Sequence, residues 1–145
     1  MENKMDSIRR LKHGVEFKST FKKFIDVKGI LWNQTYKVFG IWDDSQFYIY
    51  NPRKERVLHF FKGFKHVVPG SHYIKKIIYS SKYQLYFIIA DDFRIHLFSE
   101  RLVLLRSFSP DTRLVYDCLL DETTDTFYTA GVNGCYKIAF TYKSH

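Results

Sequence analysis

The chain has 145 residues, 46% of them hydrophobic and 26% charged, which suits one globular domain with its own core and excludes an intrinsically disordered segment. Its 14 Phe, 11 Tyr and 2 Trp favour pleated, half-buried surfaces, so an all-β architecture is expected. The net charge of +8 is uneven: residues 1–90 hold 17 Lys and Arg against 7 Asp and Glu, and residues 91–145 hold 6 against 8. That asymmetry suits either a surface for nucleic acid, an acidic membrane or an acidic protein such as tubulin, or a solvated basic face.

Residues 1–24 form a basic N-terminal arm in which Ile8, Leu11 and Val15, then Phe17, Phe21 and Phe24, fall at helical spacing. Gly14 interrupts the pattern at a cost of about 1 kcal/mol relative to Ala. The arm reads as a docking segment or as a loosely attached terminus. Its opening, MENKMDSIRR, lacks the apolar core of a signal peptide. No apolar run approaches the roughly 18 to 20 residues of a membrane span, so an intracellular, cytoplasmic protein is expected.

From Ile25 the texture changes to short β-branched and aromatic runs separated by turn residues. The first unit, residues 25–61, contains IDVKGILWN, YKVFGIW, FYIYN and VLHFF. KGFKHVVPGSHY, with its Pro-Gly pair, reads as a connecting loop. The second unit, 73–109, contains YIKKIIYSS, the strongly apolar YQLYFIIA, RIHLFS and RLVLLRSFS. The third, 113–142, contains RLVYDCLLD, TFYTAG and CYKIAFTY, and stops where a fourth strand is due.

The units superpose through their turns. Asp44 falls on Asp92 at an offset of 48 residues, and Asp92 on Asn133 at 41. Asn133-Gly134 between two apolar runs is a strong hairpin signal, because both residues tolerate positive φ. Asp44, Asp92, Asn133 and Gly134 are therefore read as structural turn residues. Four strands in about 40 to 45 residues is the period of a propeller blade.

Read in that register, TAGVNGCYKIAF, IIADDFRIHLFS and IWDDSQFYIYN resemble the blade ends of the WD-repeat family. In that family small residues lead into an Asp turn followed by alternating apolar residues ending in Trp-Asp. Here Tyr50 and Phe98 stand in the Trp place, Ala139 in the last one, and Asn51, Ser99 and Phe140 in the Asp place. The resemblance covers residues 25–142 and implies a partial WD-type β-propeller of about three antiparallel blades, the last incomplete. In the family a His, a turn Asp, a hydroxyl and the Trp form a hydrogen-bonded network inside the blade; here Asp44 and Asp92 supply a carboxylate and Asn133 an amide without evident partners, so degenerate blades held mainly by apolar packing are expected. The aromatic, divergent blades are similar in flavour to large WD-repeat proteins of cilia and sperm flagella, which implies an axonemal location. Since propellers close with roughly four to eight blades, three outcomes stand open: a fragment of a longer propeller, closure by pairing of two chains, or another compact β fold.

Chemistry finds little footing. His59, His66 and His72 lack zinc-type spacing, and Cys118 and Cys135 form no CxxC pair, so no metal and a reducing compartment are expected. Asp43-Asp44 and Asp91-Asp92 sit at hairpin turns, where Asp bonds its own backbone, rather than as an acid/base pair. No GxGxxG, GxxxxGK or GxSxG occurs, so no cofactor is expected. The function expected is a non-catalytic protein-interaction scaffold whose contacts are Arg53, Lys54, Arg56, Lys62, Lys65, Lys75 and Lys76. A basic nucleic-acid-binding module is the alternative, since basic and aromatic residues interleave in FKSTFKKF and RKERVLHFFKGFKH.

Overall fold

The computed structural model describes residues 26–92, 94–109, 115–132 and 134–141; the basic arm of residues 1–24 and the turn residue Asn133 lie outside them. Among the described residues, the strands form three antiparallel sheets in strict chain order. The first sheet holds β1 (Gly29–Asn33), β2 (Val38–Trp42), β3 (Phe47–Asn51) and β4 (Arg56–Phe61). The second holds β5 (Ile74–Ser80), β6 (Leu85–Ala90), β7 (Ile95–Phe98) and β8 (Leu104–Phe108). The third holds β9 (Val115–Asp121), β10 (Thr126–Gly131) and β11 (Gly134–Ala139) and stops at three strands. The architecture is all-β and unclosed, as the sequence reading expects.

The middle sheet explains why residues 85–90 are apolar without interruption. Side chains on a strand alternate between faces, and here both faces are covered. Tyr86, Ile88 and Ala90 point to the first sheet and pack with Trp42, Phe47, Ile49 and Phe61. Leu85, Phe87 and Ile89 point to the third and pack with Cys118 and Phe127. Two parallel seams result, one on each side of β6.

The sheets converge at their first strands, β1 against β5 and β5 against β9. At the second junction the Lys76 ammonium bonds the Asp117 carboxylate and donates to the Cys118 carbonyl at 2.8 Å. Two glycines permit close approach in the first sheet. A Cβ on Gly29 would fall inside the Trp42 indole, and one on Gly40 would lie 2.6 Å from Phe47 Cε1.

The connection between β4 and β5 holds α1 (Phe64–Val67), one helical turn that the sequence reading leaves as loop. Four residues are too few for a 3.6-residue period to show. Its purpose is visible in Phe64, which is fully buried in the first seam while its N–H donates to Ser45 O at 2.9 Å.

One end of the molecule is built from a single repeated device. The turns after β1, β3, β5, β7 and β9 each contain one non-glycine residue in the left-handed region: Lys37, Glu55, Gln84, Leu102 and Asp125, with φ of 54, 52, 56, 63 and 51°. At the start of each, a short polar side chain accepts a backbone N–H: Asn33 from Tyr36 at 3.2 Å, Asn51 from Lys54 at 3.1 Å, Ser80 from Tyr83 at 3.2 Å, Ser99 from Val103 at 3.2 Å and Asp121 from Thr123 at 2.9 Å. Such bonds supply locally what the turn's backbone lacks.

Candidate functional site

The structure divides the seven basic residues expected at a partner surface. Arg53, Lys54 and Arg56 lie at the turn between β3 and β4. Lys62 and Lys65 lie in the connection to β5, and Lys75 and Lys76 near the start of β5, at the opposite end of the sheets. Arg53 and Lys76 are engaged internally. The Arg53 guanidinium donates to Lys37 O at 2.7 Å and to Tyr36 O at 3.1 Å, holding two neighbouring turns together. Lys76 is bound to Asp117.

The turn aspartates also differ from one another. Asp92 is the hub of a buried network: Ser71 Oγ donates to Asp92 Oδ2, Arg94 N donates to Oδ1 at 3.0 Å, and His96 Nε2 lies 3.1 Å from Oδ2. On the far side of the ring, His96 Nδ1 lies 2.6 Å from Ser107 Oγ. A serine, a histidine and an aspartate in this order have the connectivity of an acyl-transfer triad. The imidazole, however, is wholly buried with its ring edge-on to Phe64 at 6.0 Å, and a group sealed from solvent reaches no substrate. Burial lowers its pKa, against the pull of the Asp92 carboxylate, so the ring is neutral at neutral pH. The network ties the α1 connection, the turn after β6, and strands β7 and β8 into one unit.

Asp44 has no such role; its backbone carbonyl accepts Ile74 N–H at 2.7 Å. In the first sheet Asp43 caps the turn, accepting from Ser45 N at 2.9 Å and Gln46 N at 2.8 Å. Asp91 does the joining work in the second, accepting His72 N at 2.9 Å and Tyr73 N at 3.0 Å. Gly134 opens β11 with φ of 117°.

Two clefts open at the end of the repeated turns. The first, about 400 Å³, lies between the first two sheets. Its chemistry is mixed: burial raises the Glu100 carboxyl, burial and then the Arg101 charge lower His59, and Tyr86, pushed up to about 12 by burial, accepts from Asn33 Nδ2 at 3.1 Å. The second cleft, about 370 Å³, lies where β1, β5 and β9 end. It is lined by the aromatic Trp32 and Tyr79, the apolar Ile78 and Leu120, and the acidic Asp121 and Glu122. Sequence reasoning missed both clefts. The signal for the second was Trp32, whose side chain faces away from the Leu31 side that packs on the first seam and is half exposed.

Among the described residues no group of three or more His, Cys, Asp or Glu is placed to hold a metal ion, and no helix is long and apolar enough to cross a membrane.

Neither a protein family nor a curated protein sequence matches the chain. Solved structures do match it, and the sheets superpose on those of the C-terminal WD40 domain of Sif2 with a TM-score of 0.60 at 12% identity, over 80% of this chain and 34% of that one. The fold is a partial WD40-type β-propeller. A chain in the mitotic checkpoint complex matches with a TM-score of 0.60 at 15% identity, over 79% of this chain and 36% of that one. Saccharomyces cerevisiae Sqt1 matches with a TM-score of 0.57 at 13% identity, over 79% and 32%. The chain thus spans about a third of the length of these propellers, and its three sheets are three consecutive blades, the third short of its outer strand. The sequence reading finds no partners for Asp92 and expects a blade held mainly by apolar packing; in the second blade Asp92 is nonetheless bonded to His96 and Ser71, and His96 to Ser107.

Proposed function

We propose that the chain is a non-catalytic scaffold that binds other proteins through the ends of its blades. The observation that carries this reading is the fate of the Ser-His-Asp arrangement: a constellation with the connectivity of a catalytic site is buried as a strut inside the second blade. Polar and aromatic side chains at the blade ends remain open, as in the two clefts. A fold of this kind supplies a platform, and platforms act through what they present. The exposed basic residues Lys54, Arg56, Lys62, Lys65 and Lys75 complement an acidic partner protein, and Arg53 and Lys76 act mainly by holding turns and blades in place. An intracellular location is argued from the cysteine usage, and a ciliary axoneme from the sequence likeness alone.

The test is a binding series with the full chain against an acidic protein such as tubulin and against single-stranded RNA, each at rising salt. Saturable binding to the protein, weakened by Lys54→Glu or Lys62→Glu, supports the scaffold. Binding only to RNA, with an affinity that falls steeply as salt rises, would replace it with the nucleic-acid reading. The basic residues lie at both ends of the blades rather than along one track, which argues against that outcome.

A further inference from the structure

The cleft at the ends of β1, β5 and β9 has a one-sided chemistry. Trp32 is 50% exposed, and its indole N–H is bound to Gln34 Oε1 at 2.6 Å. That bond holds the ring by its edge, and among the described residues no aromatic or cationic group is stacked on its π face. Tyr79 lines the same cleft, tilted against Tyr86 at 4.9 Å. Its buried hydroxyl lies beside Thr35 and Asn33 without meeting hydrogen-bond geometry to either.

Two carboxylates complete the lining. The Thr124 hydroxyl and the Thr123 N–H hold Asp121 below the usual carboxylate range, which keeps it charged. Glu122 is steadied by Ser81 Oγ at 3.2 Å. Among the described residues, no Lys, Arg or His lines this cleft. Lys82, on the neighbouring turn, is held by Asp125 at 2.9 Å and by the Glu122 carbonyl at 3.1 Å. An aromatic face beside two carboxylates attracts a cation, because the ring quadrupole and the negative charges act in the same direction. The apolar lining of Ile78 and Leu120 suits the hydrocarbon stem that lysine and arginine carry behind their charge.

We infer that this cleft receives a lysine or arginine side chain from a partner protein. An acidic side chain is repelled there, and an uncharged one would strip water from two carboxylates without replacing it. The inference rests on the scaffold reading and names what one of its surfaces recognises. It also assigns the two halves of the chain different partner chemistry, since the cleft's carboxylates belong to the acidic third blade.

The test uses the full ¹⁵N-labelled chain titrated with N-acetyl-lysine methylamide and N-acetyl-arginine methylamide. N-acetyl-norleucine methylamide, which keeps the stem and lacks the charge, is the control. The expected result is saturable movement of the Trp32 indole resonance and the amides of residues 120–122 with both cationic probes, weakened by salt. The Glu122→Gln variant, which preserves shape, lowers the affinity about three-fold, and Trp32→Ala lowers it further while the remaining spectrum stays dispersed. An equal response to the norleucine control, movement confined to other residues, or indifference to Glu122→Gln would overturn the assignment. Failure of the probes in a chain that still binds a partner protein sinks this inference and leaves the scaffold standing. Probe binding where no partner protein is found supports the cleft's chemistry and removes the scaffold.

Discussion

The two seams on either side of β6 are built from the same alternating strand, yet they differ in depth. The seam with the first blade gathers Trp42, Phe47, Phe61, Phe64, Tyr86 and Phe98, and Phe47 alone meets Trp42, Phe61 and Tyr86 edge-on at 6.3, 6.0 and 5.5 Å. The seam with the third blade has Phe127 as its one fully buried ring from that blade, set against Phe87 at 4.9 Å, with Phe140 at its margin. The first seam has an extra plug in Phe64 and a complete four-strand sheet on each side. The second has a three-strand sheet on one side. Identical strand chemistry therefore yields unequal seams, because what a side chain contributes depends on how completely the opposite sheet covers it.

Substitutions can break that comparison. Phe47→Ala removes the hub of the deeper seam and is expected to cost about 3–5 kcal/mol, measured as a fall in the denaturant midpoint. Phe127→Ala acts on the shallower seam, where the short sheet can relax, and is expected to fall near the lower end, about 3 kcal/mol. If Phe127→Ala costs more than Phe47→Ala, the ranking of the seams is reversed. Gly29→Ala drives a methyl group into Trp42 and is expected to cost about 1–3 kcal/mol as overpacking, while leaving hydrogen exchange in β9–β11 unchanged.

The internal network sharpens the comparison by pH. Burial lowers the His96 pKa below its ordinary 6.5, so the unfolded chain binds the proton more readily than the folded one. The stability from neutral His96 is then fully present above about pH 6.5 and is lost as pH falls from there toward the lower folded value. Denaturant midpoints at pH 7.5 and 5.5 should diverge in the native chain and draw together in His96→Gln. The smallest effect is expected at the second junction. Lys76 and Asp117 are both substantially exposed, so Lys76→Met should change stability by less than about 1 kcal/mol. A larger loss would mean that this ion pair, rather than apolar packing, holds the third blade.

Much of the architecture was legible because its signals are local. The short aromatic and β-branched runs at Phe47–Asn51 and Leu85–Ala90, bounded by turn residues, mark strands whatever they pack against, and the recurrence of short meanders marks blades. The internal network was only half legible. Asp92 and His96 lie four residues apart, but Ser71 and Ser107 reach them across 21 and 11 positions, and nothing in a single sequence ties such distant hydroxyls to one carboxylate. The sequence reading paired Asp44 with Asp92 because the spacing matches; in the first blade the capping carboxylate is Asp43, one residue earlier. The repeated turns escaped notice for a different reason. Asn33, Asn51, Ser80, Ser99 and Asp121 share an acceptor role without sharing an identity, so a search by residue type passes over them. Basic charge pointed to Arg53 and Lys76, which the fold uses internally, whereas the cleft depends on Trp32, Tyr79 and Glu122, brought together from three blades.

The strict order of the strands has one more consequence. Each described strand pairs only with its neighbours in sequence, so no described strand is threaded between others, and cutting the backbone at Pro69–Gly70 would sever no rung of the ladders described. Pieces 1–69 and 70–145, made separately, keep every strand-ladder bond described for the three blades within one piece or the other, and the Asn33–Tyr86 and Ile74–Asp44 bonds become contacts between the pieces. The seam between the first two blades would then be a contact between two molecules, and its strength could be read directly as a dissociation constant.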